Sequence, residues 1–125
     1  MFVKYNKNPY GNRVGDCVVR AISTALDREW ESVYMDLADK GVEMGDMPSS
    51  NAVWGTYLYE NGFEVKFVPN FCPDCYTVRE FANDHPHGTY VLGTGTHAVA
   101  VVSGNYIDVW DSGGEAIIYY FVKRR

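Results

Sequence analysis

The sequence predicts an α+β domain, with helices gathered in the first half and an antiparallel sheet in the second. Between Asp16 and Asn61 the apolar residues recur at helical spacing. From Gly88 onward they fall in short β-branched and aromatic runs separated by Gly and Asn. The chain has 125 residues, which fits one domain spanning 1–125 and leaves little room for two. Helices first and strands last give the segregated layout in which a helical layer covers a sheet.

Residues 1–16 are rich in Asn, Gly and Lys and read as a short strand followed by a loop. A helix is expected from Asp16 or Cys17 to about Leu26. Asp16 is its N-cap, and Val18, Ala21, Ile22 and Ala25 form a buried stripe. Asp27 is expected to cap a second helix whose apolar face is Trp30, Val33, Tyr34 and Leu37, with Gly41 as its stop. Residues 42–48 then form a loop. Ser49 or Ser50 opens a third helix through Val53, Trp54, Tyr57 and Leu58, closed by Asn61-Gly62. Residues 63–68 alternate apolar and polar, as a strand with one buried face does. Thr77 caps a short helix to about Asn83. Strands are expected over 88–93, 97–102, 106–110 and 116–122, with Ser103-Gly104-Asn105 as a hairpin turn.

Composition narrows the function. A hydrophobic fraction of 46% supports a packed core rather than disorder. The net charge of −5 argues against nucleic acid as the main partner, because phosphate binding needs a basic field. Lys123, Arg124 and Arg125 read as a solvated basic tail. No apolar run approaches the roughly 18 residues of a membrane span, and the N-terminus lacks the apolar stretch of a secretory signal. The expected compartment is the cytoplasm, where thiols stay reduced. Three cysteines, an odd count, suit a disulfide framework poorly. No cofactor is expected, and the oligomeric state is left open.

Three residues suggest chemistry. Cys17 falls in the first turn of a predicted helix, where unpaired N–H groups and the helix dipole favour a thiolate. Gly15 just upstream lets the backbone turn and approach a substrate closely. The alternative for a lone cysteine is a small buried hydrophobe. His97 opens a strand, beside small residues, where an imidazole can reach a helix N-terminus and relay a proton for a thiol. Asp111 follows the neighbouring strand and is expected to hold the far nitrogen of His97, fixing its tautomer. Asp108 is a rival for that role. Asp111 is preferred because Ser112-Gly113-Gly114 after it suits a strand end.

Taken in order, His97-Ala98-Val99-Ala100-Val101-Val102, then Gly104-Asn105-Tyr106-Ile107, then Asp111-Ser112-Gly113-Gly114 resemble the histidine-to-asparagine strand pair of papain-like cysteine peptidases. The helix opening Asp16-Cys17-Val18-Val19-Arg20 is similar to the nucleophile helix of that fold, and the length suits compact bacterial branches such as bacteriocin-leader peptidases. Asn8-Pro9-Tyr10-Gly11, Gly15-Asp16-Cys17 and His85-Pro86-His87-Gly88 resemble segments of small proteins of phages and Gram-positive bacteria. The resemblance implies a papain-like fold and a catalytic triad of Cys17, His97 and Asp111. Papain relatives place a Gln oxyanion donor about six residues before the cysteine. Here that position is Gly11, so Asn12 or Asn8, with the Cys17 backbone N–H, is expected to hold the oxyanion. The implied activity is that of a thiol hydrolase, a cysteine peptidase or amidase, acting on a protein or peptide. The alternative is a catalytically silent papain-fold binding module acting on a protein partner.

Cys72-Pro73-Asp74-Cys75 is a CxxC with His85 and His87 downstream. A tetrahedral zinc site, a redox pair and an unlinked loop pair are the three readings open to it. His85 and His87, flanking Pro86, read most simply as turn residues leading into a strand.

Overall fold

The computed structural model describes residues 1–69 and 75–124. The elements run β1 (Phe2–Lys4), α1 (Cys17–Leu26), α2 (Trp30–Met44), α3 (Asn51–Glu60), β2 (Phe63–Phe67), α4 (Val78–Asp84), β3 (Thr89–Gly93), β4 (Ala98–Val102), β5 (Asn105–Asp108) and β6 (Tyr119–Lys123). The strands form one open six-stranded sheet in the order β1-β5-β4-β3-β6-β2. Its ladders are antiparallel except at one edge, where β1 lies parallel to β5 with Phe2 opposite Tyr106. The α+β class is as expected; the mixed sheet differs from the purely antiparallel one anticipated. Three residues at the chain start carry no periodicity that could announce which edge they join.

Both faces of the sheet are covered. Ala21 and Ile22 of α1, Val33 and Leu37 of α2, and Trp54, Tyr57 and Leu58 of α3 pack on Val91, Ala98, Ala100 and Phe121. On the opposite face, Val78, Phe81 and Ala82 of α4 pack on Leu92, Val99, Val101 and Tyr106. Successive side chains of a strand point to opposite faces, so the run Ala98 to Val101 is apolar throughout because both of its faces are buried. Thr77 closes a capping box with Glu80 and starts α4 as expected.

Helix boundaries depart from expectation in two places. Asp27 is the left-handed C-cap of α1 (φ 51°), and Glu29 occupies the N-cap of α2. Gly41 does not stop α2, which runs to Met44 and ends at Gly45 with φ 66°. Gly41 is instead a packing glycine, since a Cβ there would lie 2.8 Å from the Asp46 carbonyl oxygen and 3.2 Å from Pro48 N. That contact seats the 46–50 loop against α2. Among the described residues no helix is long and apolar enough to cross a membrane.

Candidate active site

Cys17 is the first residue of α1. The first N–H groups of an α-helix have no intrahelical partner. Asp16, at the N-cap, makes no side-chain bond to them. Its carboxylate is turned inward, where it pairs with Arg20 and accepts from Trp30 Nε1 at 3.1 Å and Asn8 Nδ2 at 3.3 Å. The expected cap is thus spent on a buried network, and the amides at the helix start stay free of it.

His97 is delivered by the tight connection between β3 and β4. Gly93 pairs with Ala98, the Thr94 N–H donates to the His97 carbonyl at 2.9 Å, and Gly95 takes φ +98° to close the turn. The imidazole Nε2 lies 2.6 Å from Asp108 Oδ2. Cys17 lines the same recesses as His97, and with Nε2 held by Asp108 it is Nδ1 that is left for the sulfur. Trp110 covers the imidazole at a ring separation of 5.2 Å.

The acid that holds His97 is therefore Asp108, and the preference for Asp111 in that place is corrected. Asp108 is buried, accepts from Ser112 Oγ at 2.7 Å and from the Val109 N–H at 2.8 Å, and lies 3.6 Å from Arg20 Nη2. Asp111 accepts from Tyr106 Oη at 2.6 Å and the Gly113 N–H at 3.0 Å, with Arg79 at 3.5 Å. It is half-exposed, ties down the turn after β5, and none of its bonds reaches His97. The preference failed because a strand end before Ser-Gly-Gly says nothing about which partners a residue there will face.

The electrostatics favour a thiolate on Cys17 and a proton on His97. Burial alone would raise the Cys17 thiol. The hydrogen bond to His97, one from the Ala98 backbone N–H, and the charges of His97 and Arg20 outweigh burial and bring it below its ordinary value. Burial likewise works against a charged His97, but its bonds to Asp108 and Cys17 and their negative charges raise it to about 9. The Asp108 carboxyl, which burial would raise, is brought below its ordinary value by the bonds from His97 and Ser112.

Asn8 and Asn12 separate. Asn8 is buried, its amide donating to Asp16 and its oxygen accepting the Tyr10 N–H at 2.9 Å. It supports Asp16 and is no longer a candidate oxyanion donor. Asn12 lines the recess that also holds Cys17, His97, Arg20 and Trp110, about 380 Å³ in volume. On the other side of the pair, a recess of about 280 Å³ is walled by Ser49, Asn51, Trp54 and Tyr119. The Tyr119 ring crosses Gly93, where an added Cβ would come within 2.2 Å of it. A further recess of about 340 Å³, lined by Val18, Val19, Trp30, Tyr34, Leu37 and Met47, continues the groove past Val18 and Ser49. Gly15 borders all three, and a Cβ there would meet no protein atom within 4 Å.

Arg20, Ser112, Trp110 and the Ala98 N–H were missed from sequence. Arg20 was legible in part, since it stands one helical turn after Asp16 and a buried charge needs a partner. Of the CxxC, Cys72, Pro73 and Asp74 lie outside the described residues. Cys75 is disulfide-bonded, which corrects the unlinked-pair reading among the three left open. His85 stacks on Phe81 at 3.8 Å and bonds its carbonyl through Nδ1, so it packs the end of α4. Among the described residues no group of three His, Cys, Asp or Glu could hold a metal ion.

No family model matches the chain, and neither a curated protein nor a solved structure matches it.

Proposed function

We propose that the protein is a thiol hydrolase of papain-like fold that cleaves an amide or related acyl bond in a peptide or protein. The observation that carries this reading is the juxtaposition of Cys17 with a His97 that is bonded to Asp108, at the meeting point of two recesses. A half-buried thiol held below its ordinary pKa by a neighbouring imidazole is the arrangement nucleophilic catalysis needs. The order Cys, His, acid along the chain, with the cysteine opening a helix, the histidine just before β4 and the acid ending the adjacent β5, supports the papain-like assignment.

In this mechanism the Cys17 thiolate attacks the substrate carbonyl carbon and a C–S bond forms as the C=O π bond becomes an oxyanion. The Cys17 backbone N–H, at the start of α1, and the Asn12 amide stabilise that charge. His97 gives its Nδ1 proton to the leaving amine as the C–N bond breaks, leaving an S-acyl enzyme. Water then attacks the thioester, His97 taking its proton and returning it as Cys17 is released. Asp108 holds the Nε2–H tautomer throughout. The recess formed by Val18, Val19, Tyr34, Leu37 and Met47 accepts a bulky apolar side chain of the substrate.

The test is covalent labelling by a peptidyl fluoromethyl ketone carrying an apolar side chain, read at Cys17 by mass spectrometry. Rapid labelling of wild type, falling by about 10²-fold or more in His97→Ala, is expected. Equal labelling of the two proteins, or none in either, would replace this reading with the catalytically silent binding module.

A further inference from the structure

We propose that Arg20 is a positioning residue of the site, a single buried guanidinium that holds the residue before the nucleophile and the acid that orients the base. This inference rests on the hydrolase reading and adds a component to it. The Arg20 side chain is 10% exposed. Its Nη1 pairs with Asp16, which directly precedes Cys17, and its Nη2 lies 3.6 Å from Asp108 Oδ1. The other oxygen of Asp108 serves His97 and Ser112. One planar fork thus spans from the first turn of α1 to the end of β5, the two elements that carry opposite ends of the triad.

Burying two carboxylates beside each other is costly unless a cation lies between them. Arg20 is that cation, and a guanidinium suits the place because it presents donors in fixed directions to two acceptors at once. Asp16 is further anchored by Asn8 and Trp30. Among the described residues no buried side-chain N or O atom lacks a partner, so the network has no slack to absorb the loss of its centre. Acidic and basic groups then alternate along the series: Asp16, Arg20, Asp108, His97, Cys17. The groups facing Cys17 are His97 from the β3–β4 turn, Arg20 from its own helix, and Tyr119 from β6, whose phenol burial holds neutral.

The experiment is the rate of Cys17 alkylation by iodoacetamide against pH in wild type, Arg20→Met and Arg20→Lys, with thermal denaturation of each. Iodoacetamide needs only the thiolate, so no substrate has to be known. In Arg20→Met the acid limb of the profile is expected to move up by about one pH unit, because the thiolate loses a nearby cation and its imidazolium loses a fixed acid. Arg20→Lys keeps the charge but satisfies only one carboxylate at a time, so its limb should lie between the other two. Both variants are expected to melt earlier, which a merely structural role would also produce. A folded Arg20→Met, or a folded Arg20→Lys if the first does not fold, whose acid limb coincides with wild type overturns the proposal. A wild type lacking any limb below the ordinary thiol range defeats the hydrolase reading itself, a distinct outcome.

Discussion

Asp108 and Asp111 differ by three positions and end in different environments, and the reason was present in the sequence. Ser103 and Gly104 both take positive φ, 51° and 80°, the two-residue turn that matches strand twist. That turn pairs Val102 with Asn105, Val101 with Tyr106 and Ala100 with Ile107. The ladder thus brings Asp108, the last residue of β5, beside the head of β4, which His97 directly precedes. Asp111 falls past the strand end, beyond that ladder. Asp108→Asn should therefore slow labelling of Cys17 by about 10²-fold and destabilise the fold by about 3 kcal/mol, since it unbalances a buried network. Asp111→Asn should label at the wild-type rate. Equal effects of the two substitutions in the labelling assay would refute the assignment.

At the scale of elements, the start and end of α1 were legible because an acidic cap residue, a 3-4-7 apolar stripe and a cysteine at its head agree. The end of α2 was not. Glycine is the usual helix stop, yet Gly41 serves close packing, and the chain continues one turn to Gly45. β2 shows the converse failure. Its alternation suggested a buried face, but only Phe63 is buried, while Val65 is 43% and Phe67 79% exposed. Periodicity tells which residues share a face, not whether another element covers it. Gly41 has a functional consequence, because its contact with Asp46 and Pro48 seats the loop that supplies Met47 to the apolar recess. Gly41→Ala is expected to cost about 1–3 kcal/mol by overpacking. It should slow labelling by ketones with bulky apolar side chains while leaving iodoacetamide alkylation of Cys17 unchanged. An unchanged preference among ketone side chains would separate this loop from substrate selection.

Over the whole molecule, the α+β class and the order of elements could be read from pattern, but the two-sided covering of the sheet and the parallel β1 edge are non-local and could not. The site belongs to this scale too, because its parts arrive from distant stretches of chain. Cys17 rides on the helical layer, His97 on the β3–β4 turn and Asp108 at the end of β5, so the pair also joins layer to layer. Its contribution to stability must then depend on pH, with a sign that can be worked out. The folded-state pKa of His97 is about 9 against an ordinary value of 6.5. A raised pKa stabilises the folded state fully below about 6.5, and that stabilisation is lost as pH rises through about 9. Thermal denaturation of wild type and His97→Gln from about pH 6 to about pH 10 isolates this term. The gap in melting temperature should be widest at the acid end and should close as the pH passes about 9. Cys17 acts in the opposite sense, its lowered pKa giving stability that fades as pH falls through the folded value. For that reason the same comparison belongs in a Cys17→Ser background as well, where the gap should close at a lower pH because the thiolate no longer supports the imidazolium. A gap that stays level across the range in both backgrounds would mean that His97 is neutral in the folded protein, and with it the ion-pair account of the site would fall.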